Sequence, residues 1–217
     1  TAAFPKVLFE SCSGGGGRFD PGILYYMPQT WTSDNTDAVE RLSIQYGTSI
    51  VYPASTMGSN VSAVPNHQVH RSTPLKMRGD VAMSGNFGYQ LDLTKLTESE
   101  KKQVKTQVDS YKEIRELIQF GNMYRLLSPF EGNDTAWMFV SEDKNEAFAA
   151  YFRILAETNA PTNRLKLRGL DPNKDYYIEG EEGIYGGDEL MYAGLNIPEL
   201  QGDFQSIVWR IKCKIKK

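Results

Sequence analysis

Apolar and polar positions follow different patterns in the two halves of the chain. In the first half, short apolar runs alternate with helix signals, which is typical of βα units around a parallel sheet. Residues 7–9, Val-Leu-Phe, predict a buried strand, and residues 29–32 predict a second strand. Residues 56–64, rich in Ser, Gly and Asn, predict a short strand and a loop. Apolar residues that alternate between 87 and 93 predict a fourth strand.

Four helices are predicted in the same half. Asp20 and Pro21 form an N-cap followed by a proline at the first helical position, and they predict a short helix that ends at Tyr26. Residues 74–82 predict a further helix, and the capping box Thr-Glu-Ser-Glu at residues 97–100 opens a long one. Two of the helices, one beginning at about residue 37 and the long one, are indicated by apolar residues at helical spacing: Val39, Leu42, Tyr46 and Ile50, and Val104, Val108, Tyr111 and Ile118.

After about residue 127, strand patterns follow one another without helix patterns between them. Turn signals at residues 131–134 and 171–174 separate these patterns. They predict an antiparallel β domain, a sandwich. The chain is therefore divided into a βα region, residues 1–126, and a β domain, residues 127–217. The predicted strands of the second region are residues 136–140, 147–155, 165–167, 176–178 and 204–211.

Four βα units do not close a barrel. A parallel sheet that stops there has two unpaired edges, which favour aggregation or pairing with another chain. The chain also begins at Thr1 rather than at Met. We therefore expect a fragment of a longer protein, the alternative being that a second polypeptide supplies the missing half.

Composition excludes several classes of protein. The chain has 217 residues, 40% of them hydrophobic, and a formal net charge of −3, which argues against nucleic acid as a partner. The basic run at residues 210–217 is expected to be a solvated face or tail. No stretch is apolar enough for a membrane helix, and no signal peptide is evident. Cys12 and Cys213 do not suggest a disulfide framework, so we expect a reducing compartment, the cytoplasm.

The first candidate site is the glycine run at residues 14–17, directly after the first predicted strand. Glycines allow backbone N–H groups to approach a ligand closely. The Gly-Lys-Ser/Thr ending of a P-loop and a dinucleotide fingerprint are both absent. The run alone fits a ligand-binding loop and a flexible turn equally.

The second candidate is the heptapeptide Trp-Thr-Ser-Asp-Asn-Thr-Asp at residues 31–37, between a predicted strand and a helix. Asp34 and Asp37 can both be helix caps, and this is the expectation for Asp37. For Asp34 the alternative is an acid beside the apolar wall of Trp31. Such a wall raises the pKa of a carboxyl group and keeps it protonated until a leaving group needs the proton.

The third candidate is the pair His67 and His70. A surface or hydrogen-bonding role is expected, because the segment reads as a loop and no Glu-x-x-His pattern supports a metal site. Cys12 activated by one of these histidines would be a nucleophile, a minor alternative. No metal and no cofactor is expected.

Several longer motifs together resemble the α-galactosidases of glycoside hydrolase family 36. The likeness extends over nearly the whole chain and is far more specific than any single glycine run. The matching segments are residues 8–20, 31–37, 44–49, 77–80, 85–89, 124–129 and 187–191.

The resemblance implies a (β/α)8 TIM-type barrel followed by an antiparallel β domain, with residues 1–126 holding barrel strands five to eight. It implies that Asp34 is the general acid/base of a retaining hydrolase of melibiose- and raffinose-type α-galactosides. Cys12, Gly15 and Trp31 are implied to contact the substrate. The family also implies a homo-oligomer; a complementing amino-terminal half of the barrel is the other expected partner.

One departure from the family is serious. The family's nucleophile is an aspartate in a Lys-Trp-Asp-type motif, and this sequence contains no Trp-Asp pair. The chain alone is therefore expected to be inactive or nearly so. The alternative from another class is a non-catalytic galactose-binding or subunit-pairing module, in which Tyr151, Tyr176 and Trp209 would stack on sugars. At strand spacing, such aromatic residues are more commonly core residues.

Overall fold

The computed structural model describes residues 1–12, 14–159 and 164–214. By its internal contacts the chain divides into two compact units, Thr1–Glu113 and Ile114–Lys217. Each unit is described by itself below.

The first unit contains four short parallel strands. They are β1 (Glu10–Ser11), β2 (Gln29–Thr30), β3 (Gly58–Ser62) and β4 (Asn86–Gln90). β1 pairs with β2 and β3 pairs with β4, both in parallel. A parallel bridge between Thr30 and Met57 connects the two pairs. The strands therefore follow one another in chain order, as βα units require.

Helices follow the strands, and local sequence fixes where each begins. They are α1 (Pro21–Tyr26), α2 (Ala38–Thr48), α3 (Leu75–Ala82) and α4 (Glu98–Phe120). The Asp20 carboxylate accepts the Ile23 N–H at 2.9 Å, which confirms the predicted cap of α1. Thr97 and Glu100 accept each other's backbone N–H groups, so the predicted capping box of α4 is confirmed.

The predicted strand at residues 7–9 is wrong. β1 begins only at Glu10, and the Val7 and Leu8 side chains are 51% and 86% exposed. Within the described part of the chain, these residues have no ladder partner, and only Phe9 of the run is partly buried.

The apolar stripe predicted for α2 is only partly correct. Ile50 lies beyond the end of the helix and is 61% exposed. The buried positions of the helix include two polar residues, Arg41 and Gln45, that an apolar pattern does not detect. These two side chains belong to the candidate site described below.

The second unit is built on a six-stranded antiparallel sheet in the order β10-β9-β12-β7-β6-β5. A separate two-stranded antiparallel sheet joins β8 and β11, and one short helix, α5 (Gly187–Tyr192), lies between strands. The strands are β5 (Asn122–Leu127), β6 (Asp134–Val140), β7 (Glu146–Arg153), β8 (Arg164–Leu165), β9 (Asp175–Ile178), β10 (Tyr185–Gly186), β11 (Leu195–Asn196) and β12 (Gln205–Cys213).

All five strands predicted for the second half are found, and their bounds differ by a few residues. The prediction that no helix interrupts them is wrong, because α5 does. β5 lies across the predicted boundary at residues 126 and 127 and pairs with β6, whereas the internal contacts divide the chain after Glu113. Residues 210–213 of the basic run belong to β12, and residues 215–217 lie outside the described residues.

The core of the second unit is almost entirely apolar. β6 and β7 are buried on both faces along most of their length. Aromatic residues such as Trp137 and Phe152 pack in a tilted arrangement with ring centroids 5.0 Å apart. Among the described residues, no helix is both long and apolar enough to cross a lipid bilayer.

Candidate active site

The glycine loop after β1 packs against the backbone at the carboxyl end of β2. Gly14, Gly15 and Gly16 all have positive φ angles, of 56°, 74° and 89°. A Cβ atom on Gly15 would lie 2.7 Å from the backbone nitrogen of Asp34, and one on Gly16 would lie 2.9 Å from the carbonyl oxygen of Thr32. Glycine is required here both by conformation and by space.

The far end of this loop is also anchored. Phe19 stacks on Tyr52 with ring centroids 4.0 Å apart, and the Tyr52 hydroxyl donates to the Phe19 carbonyl at 3.2 Å. The Phe19 N–H donates to the Gly16 carbonyl. The glycine run is therefore a defined loop with anchors on both sides. Ser13 of the same motif lies outside the described residues.

Asp34 is an exposed carboxylate beside the glycine loop. The Trp31 N–H donates to the Ser11 carbonyl at 2.8 Å, which holds the ends of β1 and β2 together just before it. Within the described residues, the Asp34 side chain makes no hydrogen bond, and it does not cap α2. Its carboxylate is free to meet water or a bound molecule at this edge of the sheet.

Asp37, by contrast, has a structural role, as predicted. Its carboxylate accepts the N–H groups of Val39 and Glu40 at 3.1 and 3.2 Å and caps α2. The same buried carboxylate forms an ion pair with Arg71. Asp37 therefore fixes the end of the loop that carries Asp34.

The segment with the two histidines supports this same loop. The Asn66 side chain is buried and donates to the Thr36 hydroxyl at 3.0 Å, while its amide oxygen accepts two N–H groups of its own turn. His67 and His70 are exposed. No group of three or more metal-ligating side chains occurs in the described ranges. In this motif it is Asn66, rather than His67 or His70, that holds the loop carrying Asp34.

Arg41 is the residue of the site that sequence reasoning missed. Its guanidinium is buried, donates to the Gly58 carbonyl at 2.7 Å, reaches the Ser33 carbonyl at 3.5 Å and lies 5.0 Å from the centre of the Trp31 ring. Burial lowers the pKa of Arg41 to about 10. The only signal in the sequence is its position one turn after the Asp37 cap, on the face that carries Ala38.

The predicted substrate residues lie along one edge of the parallel strands. Cys12 follows β1, Asp34 follows β2, and Gly15 joins the two through its contact with the Asp34 backbone. Cys12 is exposed, and within the described residues it has no hydrogen bond to either histidine. Trp31 is almost fully buried, between Arg41 and the backbone of Gly58.

The aromatic residues considered for sugar stacking are core residues. Tyr151, Tyr176 and Trp209 are at most 3% exposed and belong to one apolar cluster of the second unit. Burial and a hydrogen bond to the Asp134 carboxylate raise the pKa of Tyr151. With their faces packed in this cluster, the three rings cannot form an exposed platform for a sugar.

Two cavities, of about 500 and 460 Å³, lie in the second unit, and both are lined by Asp134, Tyr151 and Glu157. Neither is lined by Cys12, Gly15, Trp31 or Asp34. Asp34 and Cys12, by contrast, are exposed at the edge of the parallel strands.

Comparison with protein families matches both halves of the chain. The melibiase model matches residues 1–121, and the model of the glycosyl hydrolase family 36 C-terminal domain matches residues 134–211. Alpha-galactosidase AgaA of Geobacillus stearothermophilus is 70% identical over 212 residues, which are 98% of this chain and 29% of that protein. Alpha-galactosidase Mel36A of Lactobacillus acidophilus is 51% identical over 209 residues, 96% of this chain and 28% of that protein.

Solved structures give the same result. The crystal structure of AgaA superposes with a TM-score of 0.96 at 69% identity and covers 98% of this chain and 30% of its own. An AgaA variant in complex with raffinose superposes with the same TM-score at 68% identity and the same coverage. The chain thus spans about three tenths of the length of the relatives it matches.

Proposed function

Because the chain belongs to the melibiase family, glycoside hydrolase family 36, we propose that it is part of a retaining α-galactosidase and carries its general acid/base, Asp34. The observation that carries the proposal is the glycine loop packed on the backbone of residues 32–34, beside an exposed carboxylate that makes no hydrogen bond within the described residues. A structural cap is excluded for Asp34, since Asp37 fills that position.

The architecture proposed for the whole protein is a (β/α)8 barrel followed by an antiparallel β-sandwich. Four parallel strands in chain order, each followed by a helix, support the carboxyl-terminal half of a barrel. The six-stranded and two-stranded antiparallel sheets support the sandwich. In a barrel the active site lies at the carboxyl ends of the strands, which is where Cys12 and Asp34 lie.

In the proposed mechanism, Asp34 first protonates the glycosidic oxygen of an α-galactoside and then deprotonates the water that releases galactose. Retention needs a second carboxylate about 5–5.5 Å away that attacks the anomeric carbon. We assign that nucleophile to the part of the protein outside this chain, because no Trp-Asp pair occurs here. Gly15, Cys12 and Trp31 are proposed to line the galactose pocket.

The proposed substrates are α-galactosides of the melibiose and raffinose type, since AgaA variants bind raffinose and stachyose in crystals. The proposed protein partners are further copies of the chain or a complementing amino-terminal half of the barrel. The free thiols of Cys12 and Cys213 fit a reducing compartment, and the cytoplasm remains the proposed location.

Replacing Asp34 with Ala in the full-length protein tests the acid/base role. We expect kcat/KM on raffinose to fall about 10²–10⁴-fold, because the sugar leaving group needs a proton. Nitrophenolate is a leaving group that departs without being protonated, so kcat/KM on a nitrophenyl α-galactoside should fall only about tenfold or less. Azide, which needs no base to attack the galactosyl intermediate, should restore turnover of the nitrophenyl substrate.

The matched control is Asp20→Ala, which removes an exposed helix-capping carboxylate of the same unit. This variant should change kcat/KM on raffinose and on the nitrophenyl substrate by the same factor. Equal losses on raffinose and the nitrophenyl substrate in Asp34→Ala, with no azide effect, would remove the acid/base assignment. The 217-residue chain alone should turn over neither substrate, and robust activity there would place a nucleophile within it.

A further inference from the structure

The loop that carries Asp34 is fixed from two directions. On the far side, the Thr36 carbonyl accepts the Ser62 hydroxyl at 2.8 Å, and the Thr36 hydroxyl accepts the Asn66 amide at 3.0 Å. Thr36 is thereby tied to the end of β3 and to the turn that follows. On the near side, the buried Arg41 guanidinium reaches the Ser33 carbonyl at 3.5 Å. Asp34 lies between these two attachments.

Among the described residues, the buried guanidinium of Arg41 forms no ion pair with a carboxylate. Its guanidinium meets the carbonyls of Gly58 and Ser33, the amide oxygen of Gln45 and the face of Trp31. Burying a charge without an opposite charge is costly. A neutral apolar residue at this position would avoid that cost, so stability alone does not account for an arginine here.

The geometry accounts for it. A planar guanidinium presents several N–H donors in a rigid fork, whereas a lysine ammonium is a point charge on a flexible stem. At Arg41 the fork spans the first residue of β3, through Gly58, and the residue immediately before Asp34, through Ser33. The cation also lies over Trp31, three residues before Asp34.

We propose that Arg41 is a positioning residue for the proton transfer of Asp34: it sets the place of the Ser33–Asp34 backbone relative to β3 and to Trp31. This proposal rests on the acid/base role proposed for Asp34. Arg41 does not touch the substrate. It determines the position of the Asp34 carboxyl group at the moment when the leaving oxygen takes the proton.

The test is Arg41→Lys in the full-length protein, with raffinose and a nitrophenyl α-galactoside as substrates. A small displacement of a catalytic group costs up to about 100-fold in rate. We therefore expect kcat/KM on raffinose to fall about 10- to 100-fold, while kcat/KM on the nitrophenyl substrate changes by less than about threefold. A loss of folded protein would lower both values equally.

Arg78→Lys is the matched control. Arg78 is also a buried arginine of the first unit that donates to two backbone carbonyls, those of Ser62 and Thr73, and it does not contact residues 31–34. This variant should lower kcat/KM on both substrates by the same factor or on neither. Arg41→Gln, which keeps one donor group but no charge, is the second variant and should discriminate between the substrates at least as strongly as Arg41→Lys.

The outcomes separate the two proposals. If Asp34→Ala discriminates between the substrates and the Arg41 variants lower both equally, Arg41 is not a positioning residue and the acid/base role stands. If Asp34→Ala itself does not discriminate, the proposed function fails first. If both Arg41 variants fail to fold while Arg78→Lys folds, Arg41 is a folding residue and the inference is overturned.

Discussion

The two units of this chain fill their interiors with different kinds of residue. Among the described residues, Thr1–Glu113 contains twelve buried hydrophobic residues and fourteen buried polar or charged ones. Ile114–Lys217 contains twenty-two buried hydrophobic residues and only two buried polar ones, Thr135 and Ser206. Both interiors are closed to water, but only the first is held together largely by side-chain hydrogen bonds.

This difference follows from what each unit has to position. Hydrophobic contact is not directional and tolerates small shifts, whereas a hydrogen bond fixes the distance and angle between two groups. The unit with Asp34 uses hydrogen bonds such as those of Gln45 and Asn66 to fix short strands and loops. The other unit uses a continuous apolar core under long strands. The comparison predicts that mutations in the two units will have different signatures.

The largest effect on stability is expected in the apolar core. Trp209→Ala should destabilise the chain by about 3–5 kcal/mol, because the indole is 3% exposed within the apolar cluster. Urea unfolding followed by circular dichroism measures this loss. The control is Tyr177→Ala on the neighbouring strand β9, where the side chain is 39% exposed and the cost should stay within about 1 kcal/mol.

The same substitution also bears on the alternative function. A galactose-binding module that used Trp209 would lose binding in Trp209→Ala without losing stability. Near-native stability of that variant would contradict the assignment of Trp209 to the apolar core of the second unit.

A smaller effect, opposite in sign between the units, is expected from the removal of buried polar groups. Gln45→Leu should cost about 2–3 kcal/mol, because Arg41, Ser59 and the Val81 carbonyl all lose a partner. Thr135→Val should be neutral or stabilise by up to about 1 kcal/mol, because the Thr135 hydroxyl is buried and has no hydrogen-bond partner among the residues that the structure describes. Thermal or urea unfolding of the two variants gives the sign directly.

The signs of these two changes in stability test whether the interiors of the two units really differ in their use of buried polar groups. A large loss in Thr135→Val would mean that the second unit also depends on buried polar groups. A neutral Gln45→Leu would mean that the network in the first unit adds nothing to its stability.

The last effect, expected mainly in activity, lies in the glycine loop. Gly15→Ala in the full-length protein should lower kcat on raffinose about 10- to 100-fold, because the new methyl group must displace the Asp34 backbone. Gly14→Ala is the control, since its φ is also positive but no atom of the described residues beyond its chain neighbours lies within 4 Å of the added Cβ. Equal losses in the two variants would show that backbone conformation, rather than contact with Asp34, governs the loop.

Features set by neighbours in the sequence could be predicted. The cap at Asp20 and the capping box at residues 97–100 depend on side chains three residues apart, and both are found. Five strands of the second unit were predicted because their apolar residues are dense, whereas β5, β10 and β11 were not predicted. Asp37 was correctly assigned as a cap for the same local reason.

Features set by packing could not be predicted. Arg41 and Gln45 look like exposed helix residues in the sequence, because burial of a polar side chain depends on partners far along the chain, such as Gly58 and Val81. The apolar run at residues 7–9 looked buried for the converse reason. The contact of Gly15 with Asp34 joins two motifs that the sequence offers only as separate candidates, and the family resemblance connected them without giving the contact.

The packing of the glycine loop on residues 32–34 is backbone against backbone. This contact therefore does not involve the side chain of residue 32, whereas a side chain at residue 15 or 16 would collide with the backbone of residues 32–34. Within the described residues, the Thr32 hydroxyl is buried with no hydrogen-bond partner. A combinatorial library built on this loop thus has unequal freedom: a substitution at position 32 leaves the backbone contact with the glycine loop in place, whereas most substitutions at positions 15 and 16 displace the backbone that carries Asp34.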